Sequence, residues 1–430
     1  MNPTSIRFIS LGCAKNLADT QLLMGQFDNT NYKILFEDQE GSDDIVVINT
    51  CGFINDAREQ SIETILHQIE RKSNGEIEQI IVFGCLVQRY RDELINELPE
   101  VDFFFGVDNL KEIVDTINKK LTNFEHKRYL DKPNHYAYLK IADGCNRQCS
   151  FCAIPGIKGK HKSFTPEYIM EEAKMLADKG VKEIILISQE LNSYGCDLKN
   201  GANISNLVEK LSDSNLFEWI RLHYLYPNNF PDRLIDLIAE RENICNYIDI
   251  PLQHINENIL KSMNRGGDEK SISELLDKFR KKINNLSIRT TLIVGYPGET
   301  AKEFKQLYNF VKKQRFDRMG AFIFSKEENT PAFSLEDNTS HRTKLYRLDK
   351  LMDLQTGINL QNNMDKIGNV YKVIIDREED EFYVARTQYD SPEIDNEVYL
   401  RKTKNLKTGD FVNIKVTKAY SFDIEGEIVD

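Results

Sequence analysis

Short apolar runs alternate with longer amphipathic stretches along residues 1–122. A short run bounded by turns is typical of a buried strand, and apolar residues spaced three and four apart are typical of a helix. The pattern predicts strands at residues 6–11, 44–49, 79–83 and 101–105, followed in turn by helices at residues 16–27, 56–72, 89–98 and 110–121. Repeated strand–helix units indicate a parallel sheet covered by helices.

The same alternation continues through residues 131–365. Strands are predicted at residues 136–141, 183–188, 219–226, 247–251, 288–294 and 320–325, and helices at residues 166–179, 204–211, 231–241, 272–283 and 301–314. Such a series favours a partial or complete TIM-type barrel of parallel strands. The active face of that barrel should be the carboxyl end of its strands.

The last segment, residues 366–430, contains short strands with little between them. They are predicted at residues 370–375, 382–386, 397–401, 411–417 and 422–429. Five strands in so short a segment suggest a small closed barrel, similar to an oligonucleotide-binding fold. The predicted fold class is therefore α/β, with an N-terminal parallel-sheet domain at residues 1–122, a central partial barrel at 131–365 and a C-terminal five-stranded β-barrel at 366–430.

The composition is that of a soluble globular protein of two or three domains, since 40% of its 430 residues are hydrophobic and 29% are charged. No apolar run approaches the roughly 20 residues that span a bilayer, and the N-terminus has no secretory signal pattern. Eight cysteines without such a signal favour reduced thiols or metal ligands over disulfides. We therefore expect a cytoplasmic protein with no membrane association.

The net charge of −12 bears on the choice of partner. Proteins that bind nucleic acid usually carry a basic surface, so nucleic acid is not expected to be the primary substrate. An acidic protein attracts basic partners. Acidity that only maintains solubility explains the charge equally well.

Three cysteines lie within eight residues, at Cys145, Cys149 and Cys152, directly after the first predicted strand of the barrel. Three thiolates can hold three irons of a four-iron cluster and leave the fourth iron open to another ligand. Zinc is an alternative, but a structural zinc site needs four protein ligands, and the next histidine is nine residues on, at His161. A redox-active Cys149–Cys152 pair is the other alternative.

A second set of three cysteines follows strands of the N-terminal domain: Cys13, Cys51 and Cys85. They are 38 and 34 residues apart, and each has a glycine beside it. Because ligands bind at the carboxyl ends of parallel strands, we expect the three thiols to converge at one edge of the sheet. They predict a second cluster site, although small buried side chains are the simpler alternative.

Polar residues and a glycine follow other predicted barrel strands and should lie on the same face as the Cys145 motif. They are Gln189, Glu190, Gln253 and Gly295. A glycine there admits a cofactor near the backbone or simply makes a turn. His254 alone is interpreted as a structural hydrogen-bonding residue. Cys196 and Cys245 have no partner at ligand spacing and are interpreted as small structural side chains.

The motif at residues 145–152 resembles that of the radical S-adenosylmethionine superfamily, and the three upstream cysteines resemble those of the methylthiotransferase N-terminal domain. Residues 10–16, 153–155 and 387–399 are similar to the branch of the methylthiotransferase family that modifies a ribosomal protein. The C-terminal segment resembles a TRAM domain. The resemblance covers essentially the whole chain, and two cysteine triads in the same order make it specific.

The resemblance implies an enzyme that inserts a methylthio group at the β-carbon of an aspartate in small-subunit ribosomal protein number twelve. It implies two 4Fe-4S clusters, two molecules of S-adenosyl-L-methionine per turnover and an external electron donor. The catalytic cluster would be held by Cys145, Cys149 and Cys152, and the second by Cys13, Cys51 and Cys85. The implied contacts of S-adenosylmethionine are Phe151, Gln189, Glu190, Gln253 and Gly295. The partner would be a basic protein, free or within the 30S subunit.

Two other functions remain open: a tRNA (adenosine) methylthiotransferase, and a non-catalytic metal-binding adaptor for the ribosome or RNA. Residues 367–430 carry nine basic and fourteen acidic residues, which suits a basic protein better than RNA. A merely stabilising barrel is the alternative. The family usually has Ser-Arg after the third cysteine of the motif, whereas this chain has Ser163-Phe164, so the contacts of that arginine cannot be carried over.

Overall fold

The computed structural model describes residues 3–27, 31–118, 127–131, 134–199 and 201–429. It confirms the predicted fold class: a parallel-sheet domain, a partial barrel of parallel strands and a closed five-stranded barrel follow one another along the chain. The exact domain boundaries stay predictions, because residues 119–126 and 132–133 lie outside the described part. No helix in the described ranges is long and apolar enough to cross a membrane.

The N-terminal sheet is parallel, in the order β2-β1-β3-β4-β5. Its strands are β1 (Thr4–Ser10), β2 (Tyr32–Phe36), β3 (Ile45–Thr50), β4 (Gln79–Gly84) and β5 (Phe103–Phe105). Its helices are α1 (Ala14–Gly25), α2 (Asn55–Ser73), α3 (Cys85–Glu97) and α4 (Leu110–Ile117). Apolar side chains of β3 and β4 belong to a separate buried cluster on each face of the sheet, so both faces are covered.

In this domain, the main differences from the predicted elements are at the edge of the sheet and at the ends of helices. Strand β2 was not predicted; it is an edge strand that is half exposed and therefore has a weak apolar pattern. Helix α3 begins at Cys85, four residues earlier than predicted. The predicted helix over 110–121 ends at Ile117, and its last three predicted residues lie outside the described ranges.

The central domain contains the six predicted barrel strands: β6 (Tyr136–Lys140), β9 (Glu183–Ile187), β10 (Trp219–Leu222), β11 (Tyr247–Asp249), β12 (Ser287–Val294) and β13 (Arg318–Ile323). Two short strands, β7 (Ala142–Asp143) and β8 (Lys162–Ser163), pair with each other beside it. The strands form two parallel sheets, β6-β9-β10 and β11-β12-β13, joined by a bridge between Ile220 and Ile244. Within the described residues β13 does not pair with β6, so the barrel is partial.

The helices of this domain are α5 (Ile154–Lys158), α6 (Pro166–Asp178), α7 (Ile204–Asp213), α8 (Asp232–Glu240), α9 (Glu257–Ser262), α10 (Glu269–Lys282), α11 (Ala301–Gln314) and α12 (His341–Met364). All except α5 pack apolar side chains into the main core around the strands, whereas α5 contributes Ile157 to a buried cluster with Cys85 of the N-terminal domain. Helix α12 is the longest and was not predicted. Its buried positions include polar residues such as Arg347, Gln355 and Asn359, so the sequence has no clear apolar stripe there.

The C-terminal barrel closes in the order β14-β15-β16-β18-β17. Its strands are β14 (Val370–Glu379), β15 (Phe382–Thr387), β16 (Val398–Arg401), β17 (Phe411–Ala419) and β18 (Ile424–Val429). It joins the central barrel through buried charges near the amino ends of the parallel strands: Glu183 pairs with Arg386 and, at 2.8 Å, with Arg221. Its 387–396 loop also contacts this end, where Asp390 pairs with Arg318.

The N-terminal domain lies at the opposite end of the barrel. Helix α1 contributes Ala18 to a buried cluster with Tyr138, Ile185 and Ile187. The alternate residues of β6 and β9 pack in the main core with the outer helices, so α1 covers the inner face of these strands. At the carboxyl ends, Glu327 accepts a hydrogen bond from Arg58 of the N-terminal domain at 2.8 Å. Both cysteine triads therefore lie at this boundary.

Candidate functional site

The Cys145 triad lies on a loop at the carboxyl end of β6. Strands β7 and β8 close the base of this loop. Gly144 has a φ of +68°, and a Cβ at this position would lie 2.1 Å from the Lys160 carbonyl oxygen, so only glycine fits. The Cys145 amide donates a hydrogen bond to the Gly159 carbonyl at 3.1 Å. The two ends of the loop are therefore tied together.

Hydrogen-bond donors point at the sulfur atoms of this triad. The Arg147 amide lies 3.4 Å from Cys145 Sγ, and Arg265 Nη1 lies 3.6 Å from Cys149 Sγ. Burial raises the pKa of the Cys152 thiol to about 12, and the neighbouring thiols Cys149 and Cys145 raise it as well. Three neighbouring thiolates repel one another and need a cation, and the hydrogen-bond donors beside them, including the Arg265 guanidinium, suit a metal cluster with negative sulfur ligands.

The second triad converges as predicted from its position after three neighbouring strands. Cys13 caps α1, Cys51 follows β3 and Cys85 begins α3. The sulfur atoms of Cys13 and Cys85 each lie 4.0 Å from Asn16 Oδ1. A Cβ on Gly12 would lie 2.8 Å from Cys51 Sγ. Burial raises the pKa of Cys85 to about 12 and also raises the pKa of Cys51, and binding to a metal would favour the thiolate form of both.

The distances between the sulfur atoms of each triad bear on whether the triad could bind a zinc ion instead of a cluster. A zinc–sulfur bond is about 2.3 Å long, so three sulfurs on one zinc lie less than about 4.6 Å apart. Among the described residues, neither triad has all three sulfur atoms within 4.8 Å of one another. A four-iron cluster binds each thiolate through a different iron, and the wider spacing favours a cluster. The ligand roles of the six cysteines stay a prediction.

Asn16 is a buried residue that the sequence did not single out. Besides approaching two thiols, it donates hydrogen bonds through Nδ2 to the carbonyls of Leu11 and Thr50, at 2.8 and 3.3 Å. Those carbonyls precede the Gly12-Cys13 and Cys51 segments. Asn16 therefore fixes the backbone of two cysteine-bearing loops. In the sequence, the only indication of this role is that Asn16 lies three residues after Cys13.

Four charged side chains fill the space between the two triads. Lys140 pairs with Asp19 and, at 3.1 Å, with Asp143; Lys158 lies 3.4 Å from Asp19 and 3.6 Å from Asp143. Burial alone would raise the pKa of Asp143, but the two ammonium groups outweigh it and hold that pKa well below its usual value. Asp19 comes from α1, and the other three come from the central domain. The charges balance without a ligand.

The predicted S-adenosylmethionine contacts have structural partners of their own. Glu190 accepts two hydrogen bonds of 2.8 Å from the Arg147 guanidinium, and Gln189 donates to Asp143 at 2.8 Å. Both residues therefore hold the Cys145 loop. Phe151 packs against a buried apolar cluster that includes Tyr296. The cofactor contacts of these residues stay predictions.

Two backbone positions on the same face are conformationally unusual. Gln253 has a φ of +70° and bridges to Leu292 of β12. Gly295 has a φ of +72°, and a Cβ there would lie 2.4 Å from Lys344 Cγ of α12. Close contact with α12 explains the glycine without a cofactor. Their predicted contacts with S-adenosylmethionine also stay predictions.

Sequence reasoning assigned no role to four side chains on this face: Arg147, Tyr226, Arg265 and Glu299. The guanidinium of Arg147 lies 4.0 Å from the centroid of the Tyr226 ring, and that of Arg265 lies 4.6 Å from it. Glu299, which follows the fifth strand, is buried, accepts from the Gly295 amide and lies 3.5 Å from Arg347. Burial raises the pKa of Glu299 to about 7. Arg265 follows α9 with no local motif to mark it.

Three family models match successive parts of the chain. Residues 5–106 match the model described as uncharacterized protein family UPF0004, residues 139–311 match the radical SAM superfamily, and residues 367–429 match the TRAM domain. These parts correspond to the N-terminal sheet, most of the central barrel and the C-terminal barrel.

A solved structure shares the fold at low sequence identity. The radical S-adenosylmethionine methyltransferase TsrM from Kitasatospora setae, solved with cobalamin and a [4Fe-4S] cluster, aligns with a TM-score of 0.57 over 77% of each chain, at 14% identity.

Sequence relatives match over the full length. The ribosomal protein uS12 methylthiotransferase RimO of Cytophaga hutchinsonii is 46% identical over 99% of this chain and 98% of its own. The protein of the same name from Phocaeicola vulgatus is 46% identical over 100% of both chains. Identity at this level over whole chains shows common family membership. The chain therefore belongs to the radical S-adenosylmethionine methylthiotransferase family, together with the proteins named RimO.

Proposed function

We propose that this methylthiotransferase modifies the β-carbon of an aspartate in ribosomal protein uS12. We further propose that it uses two 4Fe-4S clusters and two molecules of S-adenosylmethionine per turnover. One observation carries the two-cluster proposal: Cys85 of the second triad belongs to the same small buried cluster as Ala153, the residue after Cys152. The two triads are thus adjacent across the domain boundary, as sulfur transfer between two sites requires.

The protein residues supply position and charge, while the bound groups supply the chemistry. When bound, a cluster at Cys145, Cys149 and Cys152 would provide the electron that cleaves S-adenosylmethionine, and one at Cys13, Cys51 and Cys85 would hold the sulfur that is methylated and transferred. Arg147 and Glu190 hold the first loop, and Arg265 donates to one of its thiolates. Asn16 holds the second triad. The ion pairs of Lys140 and Lys158 with Asp19 and Asp143 hold the two domains together beside the triads.

The substrate proposal rests on the printed names of the full-length relatives and on charge. Ribosomal proteins bind RNA and are basic, and this chain has a net charge of −12. The C-terminal barrel is itself acidic, which suits a basic protein and repels the phosphates of tRNA. An external one-electron donor is required in either case.

The deciding experiment presents reconstituted enzyme with uS12, with 30S subunits and with tRNA, each with S-adenosylmethionine and a reductant. Mass spectrometry then measures the added methylthio group. We expect it on an aspartate of uS12 and not on tRNA. A modified adenosine in tRNA with unmodified uS12 would refute the substrate proposal. Iron analysis tests the cluster count, since two clusters contain about eight irons per chain; about four irons would refute it.

A further inference from the structure

Three potential metal ligands outside both cysteine triads meet beside the Cys145 loop. They are His161, Cys196 and Asp197, and one ligand atom from each lies within 4.8 Å of the other two. His161 directly precedes β8, and the other two lie in the turn after the short 3-10 helix Leu191–Ser193. The spacing of cysteines in the sequence did not reveal partners for Cys196, because His161 is distant along the chain and Asp197 is a different type of ligand. The fold brings the three side chains together.

Two of the three ligands are held by the same short strand. The His161 ring is buried, with Nε2 3.0 Å from Ser163 Oγ and 4.0 Å from Asp197 Oδ1. The Ser163 amide donates to the other Asp197 oxygen, Oδ2, at 2.9 Å. That bond leaves Oδ1 on the side of the histidine. Cys196 is exposed, so its sulfur is free to close the remaining distance.

The donor set selects the metal. A nitrogen, a thiolate and a carboxylate oxygen suit zinc, which binds them at about 2.0 to 2.3 Å and prefers four ligands. In a tetrahedral site two such bonds place their ligand atoms about 3.3 to 3.7 Å apart, so atoms within 4.8 Å need to move by about 1 Å. We propose that His161, Cys196 and Asp197 bind one zinc ion, with water as the fourth ligand.

Binding is an exchange of ligands without electron transfer. The Cys196 thiol loses its proton to solvent, its sulfur bonds to zinc, and water leaves the hydrated ion. The Ser163 hydroxyl gives up its contact with the histidine. The His161 amide donates to Asn146 Oδ1 at 3.1 Å, next to Cys145. The ion would therefore join the turn at residues 195–197 to the loop that carries the first triad.

The test uses the holoenzyme, in which both cysteine triads are filled with iron and sulfide. Zinc binding is measured by equilibrium dialysis with elemental analysis, and the ligands are counted by X-ray absorption at the zinc edge. The variants are Cys196→Ala and Asp197→Asn, both at exposed positions. Cys245→Ala is the matched control, because Cys245 is a thiol buried in a separate cluster with Trp219 and Tyr247.

We expect one zinc per chain beyond the iron, with one sulfur and otherwise nitrogen or oxygen neighbours. Each variant should weaken binding at least about tenfold without changing the iron content, whereas the control should bind as the wild type does. The proposal is overturned if the holoenzyme takes up no zinc or if Cys196→Ala binds equally well. Two or three sulfur neighbours would also overturn it, since the zinc would then occupy a cysteine triad.

Discussion

Lys158 Nζ lies 3.4 Å from Asp19 Oδ2, and this ion pair crosses the boundary between the N-terminal sheet and the central barrel. Asp19 also pairs with Lys140, so it shares with Asp143 the neutralisation of two buried ammonium groups. Each partner is fixed close to a cysteine triad: Asp19 on the helix capped by Cys13, and Lys158 on the helix after Cys152. The relative position of the two triads depends on this contact.

Replacing Asp19 by asparagine should destabilise this boundary. Breaking a buried ion pair from one side costs about 3 to 5 kcal/mol, because the remaining charges are left buried and only partly paired. We expect a lower unfolding midpoint in denaturant and earlier proteolysis between the two domains. The control is Asp236→Asn, which breaks an exposed pair with Lys282 and should cost less than about 1 kcal/mol. Equal losses in both variants would contradict the role of Asp19.

Cysteine variants should separate the two triads. Cys145→Ala should abolish formation of 5′-deoxyadenosine, since the first triad then loses a ligand. Cys51→Ala should retain deoxyadenosine formation but yield no methylthiolated product. Each should contain about half the iron of the wild type, whereas Cys245→Ala should be unchanged. Chromatography of the nucleoside and mass spectrometry of the substrate measure the two outcomes. Methylthiolated product from Cys51→Ala would rule out the second cluster as the sulfur site.

Glu190→Gln should loosen the Cys145 loop. The variant loses a charge-assisted contact of two hydrogen bonds with Arg147. This contact is worth about 1.5 kcal/mol or more, which corresponds to roughly a tenfold change in an equilibrium constant. We expect iron to leave the reconstituted protein about ten times faster in the presence of a chelator. Glu209→Gln also removes a partner of an arginine, Arg233, but on the exposed surface. A rate equal to that of this control would show that the loop does not depend on Glu190.

Glu299 should give the protein a measurable dependence on pH. Burial raises its pKa from 4.5 to about 7 in the folded chain, so the folded state holds this proton more tightly than the unfolded state does. Stability from this group is present below about pH 4.5 and is lost as the pH rises through about 7. From pH 6 to 8 the loss is about 1.3 kcal/mol. Thermal unfolding of wild type and Glu299→Gln at both values measures it.

The variant should show a smaller loss between these two pH values than the wild type, because glutamine does not titrate. Glutamine can still accept the hydrogen bond from the Gly295 amide, so this contact is preserved. An equal loss in both proteins would assign the pH dependence to other groups.

The sequence was sufficient to predict the elements whose apolar pattern is strong. The central strands β3 and β4 are buried on both faces, and all six barrel strands were located. Strand β2 and helix α12 were missed, because the first is half exposed and the second buries polar residues such as Gln355 against the barrel. In both cases tertiary contacts, which no local pattern encodes, decide which side chains are buried.

Some residues of the candidate site could likewise be located from the sequence, and others could not. Residues at the ends of predicted strands, such as Cys13 and Cys145, could be located because parallel topology gathers strand ends. Arg265 and Asn16 could not, because their roles depend on distances across the fold. Cys196 is the clearest example: its neighbour His161 is 35 residues earlier, and the family resemblance carries no expectation for either residue.

The attachment of the C-terminal barrel has a consequence for the order of synthesis. Buried Arg221, Glu183 and Arg318 of the central barrel find partners among Arg386, Gln388 and Asp390. Before residues 386–390 are synthesised, Glu183 and Arg221 have only each other, and Arg318 lacks its carboxylate partner Asp390, which makes these groups costlier to bury. The central barrel can therefore reach its final stability only after the segment that contains Arg386, Gln388 and Asp390 has been made and has docked.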